Sequence, residues 1–327
     1  MKATACAHAN IALIKYWGKR EGNKNLPAVG SISITLREMT TVSTVSFRDE
    51  LDTDVLILNN KEGDEGEQQR VSQFLDLIRK RADISLKAIV ESRNNFPTGA
   101  GLASSASAFA SLALAASTAS GLSPDSSTLS EIARYGSGSA ARSIFGGFVE
   151  MKKGGKADGS DSIALQLANE NYWDIHVLIA ITSEKKKEIS STYGMKLTAD
   201  TSPFYPAWVE SSQQDLDEMK KAIACKDFSK LGDLSEFSCL KMHATALSAY
   251  PGLLYWNSTT IECIHAIRQM RKEGIPVYFT IDAGPQVKAI CLPENIEHIS
   301  SVLQAITGVK RIISTPLGPS VTLLEKE

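Results

Sequence analysis

No stretch of this chain is apolar for the roughly 18 residues that a membrane-spanning helix needs. The N-terminus shows no charged segment followed by an apolar run, so no signal peptide is expected. The five cysteines, Cys6, Cys225, Cys239, Cys263 and Cys291, are odd in number and widely spaced. No CxxC and no Cys/His ligand spacing occurs, which argues against a structural zinc site and fits reduced thiols in a cytoplasmic setting. Neither sign of charge dominates: 35 Lys and Arg stand against 37 Asp and Glu, a net charge of −2. That balance gives no reason to expect a nucleic acid or an anionic membrane as partner. Any polyanion must therefore be held by local clusters. Internal repeats and long low-complexity tracts are also missing. What remains is 327 residues, 43% hydrophobic and 22% charged, enough for one large or two ordinary soluble domains.

Strand patterns dominate the first half. Residues 4–13, 31–36, 40–47, 55–58 and 84–92 alternate or are rich in β-branched side chains. Val71, Phe74, Leu75 and Ile78 recur at helical spacing within 67–81. An Ala-rich stretch predicts a helix over 106–120, and Ser123-Pro124 opens another over 125–134. Strands follow at 148–151, 162–167 and 175–182. The second half changes character, with long helices at 207–224, 228–249 and 259–272. Strands at 277–281 and 287–292, a helix at 294–304, and strands near Arg311 and Val321 close the chain. This predicts an α+β protein of two domains, residues 1–183 and 184–327. The junction carries the charge run Glu184 to Glu188, either a solvated turn or a source of one lysine at the mouth of a phosphate site.

The segment Pro97 to Ser107 reads Pro-Thr-Gly-Ala-Gly-Leu-Ala-Ser-Ser-Ala-Ser. Its glycines let backbone N–H groups converge on an anion. Its hydroxyls stand where a helix begins, so the positive end of the helix dipole adds to the cradle. No Gly-Lys-Ser/Thr follows, so this is not the Walker pattern. The same residues also suit a flexible linker or an ordinary capped helix. Asp282 ends an apolar strand before Ala283-Gly284-Pro285, placing a carboxylate at a cleft edge or starting a turn. The histidines are scattered, and His243 and His265 fall in helical stretches as packing or surface residues.

Four segments occur in order: Lys15-Tyr16-Trp17-Gly18-Lys19, the Pro97–Ser107 loop, Gly136-Ser137-Gly138-Ser139-Ala140-Ala141-Arg142-Ser143, and Asp282-Ala283-Gly284-Pro285. Together they resemble the signatures of the mevalonate diphosphate decarboxylases, members of the GHMP small-molecule kinase superfamily. The resemblance runs from about residue 5 to about residue 290. It implies a two-domain GHMP kinase-like fold: an N-terminal mixed α/β domain like domain 2 of ribosomal protein S5, and a helix-rich C-terminal α+β sandwich. It also implies ATP-dependent decarboxylation of (R)-5-diphosphomevalonate to isopentenyl diphosphate, with Mg2+, in a cytoplasmic homodimer. A phosphomevalonate decarboxylase or a mevalonate 3-kinase on the same scaffold is the alternative, and a non-catalytic nucleotide binder the third reading.

The resemblance implies roles residue by residue. Asp282 orients the substrate 3-hydroxyl or takes its proton, with Lys15 and Arg142 beside it as a cation pair. At about 4 Å and an effective dielectric near 20, each such pair is worth roughly 4 kcal/mol before desolvation. Those partners keep Asp282 ionised and make it a weak base, which favours orientation over proton abstraction. Tyr16, Trp17, Gly18, Lys19, Arg70, Ser137, Gly138, Ser139, Ala140, Ala141, Arg142, Ser191, Thr192 and Met195 are the substrate-binding set. Trp17 reads as packing, and Arg70 lies on a helix expected to be exposed. Ala141 stands where the family usually has Cys. Asn94, Gly99, Gly101, Leu102, Ala103, Ser104, Ser105 and Ser107 are the nucleotide set, one of the serines meeting the γ-phosphate or its magnesium. No dedicated metal ligands are assigned, because magnesium keeps waters and borrows substrate oxygens.

Overall fold

The computed structural model describes every residue except 21, 23, 97–101, 103, 186 and 187. The expected nucleotide contacts Gly99, Gly101 and Ala103, and two lysines of the 184–188 charge run, lie outside the described residues.

The chain runs β1 (Lys2–Ile14), β2 (Ser31–Arg48), β3 (Val55–Leu58), β4 (Lys61–Glu62), α1 (Glu65–Ala82), β5 (Lys87–Asn94), α2 (Ser104–Ala119) and α3 (Ser126–Gly136). A 3-10 turn (Gly138–Ile144) leads to β6 (Phe148–Met151), β7 (Ala164–Ala168) and β8 (His176–Ile181). Then come α4 (Ser191–Thr201), α5 (Tyr205–Ala224), α6 (Phe228–Leu247), α7 (Ser258–Lys272), β9 (Val277–Thr280) and β10 (Val287–Cys291). The chain closes with α8 (Ile296–Gln304), β11 (Arg311–Pro316) and β12 (Thr322–Lys326).

Eight strands form the first sheet, in the order β12-β1-β2-β5-β3-β4, with β6 on β2 and β7 on β6. The second sheet is β11-β8-β10-β9, antiparallel throughout. The sheets do not divide at residue 183. β8 already belongs to the second, and β12 returns to pair with β1 in the first.

The two strands expected at 31–36 and 40–47 are one 18-residue strand. Its pairing with β1 jumps from Asn10↔Thr35 to His8↔Thr40, so the exposed Arg37-Glu38 step is absorbed as a bulge. His8 Nδ1 bonds the Arg37 carbonyl there at 2.8 Å. α3 starts one residue later than expected, because the Asp125 carboxylate accepts from Thr128 N–H at 2.7 Å and caps the helix. α4 was not predicted, since its polar opening hides a helix capped by Ser190.

α2 lies across β1 and β2 with Ala110, Ala113, Ala115 and Ala116 fully buried. Small side chains on this helix bring its backbone close to the sheet, which sets where its N-terminus points. Ala113→Leu overfills that seam. It lowers stability by about 1–3 kcal/mol, read as a lower urea midpoint with an unchanged slope.

Candidate active site

A cleft of about 860 Å³ opens where the end of β1 meets the turn after β9. Thr280 Oγ1 donates to the Ala12 carbonyl at 3.2 Å, which ties β9 to β1 directly. Lys15 N–H donates to Ser238 Oγ of α6 at 2.9 Å and fixes the chain just past β1.

Asp282 faces the cleft, its side chain 23% exposed, against two lysines that are each 1% exposed. Lys15 Nζ lies 2.6 Å from Oδ1, and Lys288 Nζ lies 3.3 Å from Oδ2. Burial opposes ionisation, but the charges of both lysines, with the hydrogen bond from Lys15, win and hold the carboxyl well below the usual carboxylate range. The expected partner Arg142 is not in ion-pair contact with Asp282. It is buried instead under the 3-10 turn, where its guanidinium donates to Ser31 Oγ at 2.6 Å and Asn10 Oδ1 at 3.2 Å. Those β1 and β2 oxygens hold the fork one step from the carboxylate, close enough to feel its charge. Burial pushes the guanidinium down to about 10, so it stays charged at neutral pH. Its Nε is buried and has no hydrogen-bond partner among the described residues, a donor left for an anion.

Lys19 and Arg70 both line the cleft. Lys19 Nζ donates to Asn25 Oδ1 at 2.7 Å and Thr192 Oγ1 at 3.2 Å, and Arg70 to the Gly136 carbonyl at 2.6 Å. All these partners are uncharged. Burial first, and then the Arg70 charge, push Lys19 down to about 8. Glu62, Asp64 and Glu67 also line the cleft, but among the described residues none of them is in ion-pair contact with Lys19 or Arg70, which leaves both charges available to an anion. Arg70 is exposed as expected, toward the cleft, with its guanidinium 4.6 Å above the Phe109 ring.

The 3-10 turn supplies the next wall. Ser137, Gly138 and Ser139 line the cleft. A Cβ on Gly138 would sit 2.2 Å from the Tyr16 hydroxyl, so only glycine lets Tyr16 reach that wall. Ala140 and Ala141 are fully buried, and their side chains pack into the cores behind the turn rather than toward the cleft. Ser105 Oγ, Ser137 Oγ and Ser139 Oγ form a chain of 3.2 Å contacts that joins the start of α2 to this turn.

Of the nucleotide set, Asn94, Leu102, Ser104 and Ser105 line the cleft. Ser107 does not. Its hydroxyl is buried against Thr41 Oγ1 at 2.7 Å, one turn into the helix and on the sheet side. Ser191, Thr192 and Met195, at the start of α4, also line the cleft. Trp17 is 2% exposed, packs edge-on to Tyr255, and is among the residues lining the cleft. Gly18 has φ +98°, with the Tyr205 hydroxyl 2.1 Å from where a Cβ would stand. It serves the turn rather than the lining. Arg20, next to Lys19 in the chain, turns away to the Lys153 carbonyl at 2.9 Å.

Two family models match this chain: a diphosphomevalonate decarboxylase-like N-terminal domain over 7–164, and a mevalonate 5-diphosphate decarboxylase C-terminal domain over 177–319. The diphosphomevalonate decarboxylase of Candida albicans is 36% identical over 97% of this chain and 96% of its own length. The chain belongs to the diphosphomevalonate decarboxylase family. A solved complex of MDDEF with MVAPP, AMPPCP and magnesium is 40% identical, with TM-score 0.94 over 100% of this chain and 99% of that one. Mevalonate diphosphate decarboxylase from Staphylococcus aureus is 38% identical, with TM-score 0.94 over 99% and 98%. The fold is the two-domain GHMP kinase-like α+β fold of this family.

Sequence reasoning missed Lys288 and Asn25. Lys288 left a signal: a lone charge inside the apolar run Val287 to Leu292, opposite Thr280 and so on the same face as Asp282 two residues on. Asn25 has φ 52° and donates from Nδ2 to the Arg134 and Tyr135 carbonyls at 3.0 and 2.8 Å while holding Lys19. Nothing in its local sequence marks that role. Among the described residues no helix is long and apolar enough to cross a membrane.

Proposed function

We propose that this cleft carries out the ATP-dependent decarboxylation of (R)-5-diphosphomevalonate to isopentenyl diphosphate, releasing ADP, phosphate and CO2, as a step of isoprenoid synthesis. One observation carries the reading. A carboxylate held ionised by two lysines faces a cleft that also carries Lys19 and Arg70, which among the described residues form hydrogen bonds to uncharged partners and no ion pair. A substrate with one hydroxyl to orient and several negative charges matches that arrangement.

Asp282 accepts a hydrogen bond from the tertiary 3-hydroxyl and aims its oxygen at the γ-phosphate. Because the lysines stabilise its charged form, it is a poor proton acceptor and works by orientation and electrostatics, the hydroxyl proton passing to the transferred phosphate as the new O–P bond forms and the bond to ADP breaks. Arg142 offers its guanidinium to the substrate carboxylate, a pairing that its planar fork favours. Lys19, Arg70, Ser139 and Thr192 surround the diphosphate, and Tyr16 and Ser137 offer hydroxyls. Once phosphorylated, the 3-oxygen leaves with its bonding electrons as the C–C bond to the carboxylate breaks, and Lys15 and Arg142 compensate the charge on the leaving group. Nucleotide phosphates fit the start of α2, where Ser104 and Ser105 face the cleft and the helix dipole favours negative charge. The same hydroxyls suit a magnesium ion held mainly by phosphate oxygens, which neutralises phosphate charge when bound.

Diphosphate binding follows the charge on Lys19. A free-enzyme value of about 8 means the cleft is fully cationic only below that pH. Affinity for the diphospho ester is therefore greatest below pH 8 and falls above it, by up to about tenfold per unit while Lys19 alone titrates. Calorimetry at rising pH checks this. Lys19→Arg, which does not titrate there, flattens the profile.

Assaying the mono- and diphospho esters of mevalonate side by side with ATP tests the function itself. The diphospho ester is expected to give alkene and CO2 at a kcat/KM at least about tenfold higher, the share of one charge-assisted contact. Preference for the monophospho ester would assign the chain to the phosphomevalonate branch of this scaffold. The five free cysteines suit a reducing cytoplasm. The Ser202–Ser248 contact at 2.6 Å brings the segments carrying exposed Phe204, Leu247 and Tyr250 together, a face suited to a second copy in a homodimer. Sedimentation reads that state.

A further inference from the structure

Lys288 has no part in the roles above, yet it is one of the largest fully buried side chains in the molecule. It stands in β10, flanked in sequence by the fully buried Val287 and Ala289. A lysine almost never stays buried without a partner. In the antiparallel pairing it sits opposite Thr280, and residues two apart on an extended chain share a face. That register delivers its ammonium to Asp282 Oδ2 at 3.3 Å, the oxygen that Lys15 does not bond. Lys15 borders the cleft and Lys288 does not.

We propose that Lys288 is a positioning residue: from beneath the cleft it pins the second oxygen of Asp282, so that the carboxylate presents one fixed orientation to the substrate. The proposal deepens the decarboxylase reading and rests on it. A carboxylate held at one oxygen only can rotate about its Cβ–Cγ bond. Held at both, it cannot turn without losing a buried ion pair. Other groups around it do not replace this restraint. Arg142 is engaged by Ser31 and Asn10. From α6, the Cys239 Sγ accepts from the Ile281 N–H at 3.2 Å, and His243 is committed to Trp256 Nε1 at 3.2 Å. Burial, and then the Lys15 charge, hold His243 down at about 3, and burial holds the Cys239 thiol up at about 11, so neither carries charge at neutral pH.

The test is Lys288→Met, which keeps length and apolar volume and removes the charge. At pH 7 kcat falls about 100-fold, the scale of an ångström-sized misplacement, while the dissociation constant of the diphospho ester measured by calorimetry stays within about twofold. The acid limb of the kcat profile moves up by about one pH unit or more, because one of two opposite charges beside Asp282 is gone. A kcat within threefold of the parent, an unmoved acid limb, or an affinity loss as large as the rate loss would each overturn the proposal. Lys288→Gln, which keeps a hydrogen-bond donor, serves if the Met variant does not fold, with the same three readings. A stability cycle of Lys288→Met with Asp282→Asn needs no substrate. Coupling in the unfolding free energies is expected, and additivity would contradict the pairing. A parent enzyme that makes no alkene sinks the decarboxylase reading and leaves that cycle intact, so the two failures are distinguishable.

Discussion

Asp282→Asn lowers kcat by about 10³-fold, within the span of roughly 10²–10⁴ expected for a positioned acid–base group. KM for either substrate changes far less, because the walls that hold phosphates and carboxylate are intact. The variant also loses stability, since Lys15 and Lys288 are left buried with no counter-charge. Breaking a buried pair costs about 3–5 kcal/mol; the low end applies here because the carboxylate is partly open to the cleft. The pH dependence has a definite sign. In the parent, Asp282 is depressed below its unfolded value, so its contribution is complete above about pH 4 and is lost only as pH falls through the folded value. In the variant Lys288, which burial already holds below its ordinary value, loses the opposing Asp282 charge, so the unfolded chain binds more protons and stability rises with pH toward about 10. Urea midpoints at pH 6 and 9 read the difference: nearly equal for the parent in this respect, higher at pH 9 for Asp282→Asn.

Arg142→Lys weakens binding of the diphospho ester by about 10- to 100-fold, the worth of one or two charge-assisted hydrogen bonds at about 1.5–3 kcal/mol. The exchange keeps the charge and loses the fork. Ser31 Oγ and Asn10 Oδ1 are spaced to receive two guanidinium nitrogens, and a single ammonium reaches one of them at best. ATP affinity stays near the parent value, because that wall is formed by β5 and α2. Calorimetry with each ligand separates the two. Equal loss for both would mean that Arg142 supports the fold of the whole cleft rather than the substrate carboxylate.

The alternating and helical patterns revealed most strands and helices because they reflect one-dimensional periodicity. They failed where tertiary pairing decides. The bulge at Arg37-Glu38 lets one strand continue through a polar step, and only β1 on the other side shows why. α4 opens with polar residues whose helix is stabilised by a cap and by packing of Gly194 and Met195, which no local period announces. At the site, Lys15 and Asp282 were legible because their segments are distinctive. Ser107 was misplaced toward the cleft because hydroxyls in a loop look alike until the helix rotation is known. The exchange of Arg142 for Lys288 as second partner has the same origin: strand register across the second sheet decides it, and register is not readable from one segment.

The most direct measurement is a product balance on the parent enzyme with ATP and the diphospho ester. Equal amounts of ADP, phosphate, CO2 and isopentenyl diphosphate are expected, with all four falling together in Asp282→Asn. ADP accumulating with a stable 3-phospho ester and no CO2 would contradict the account.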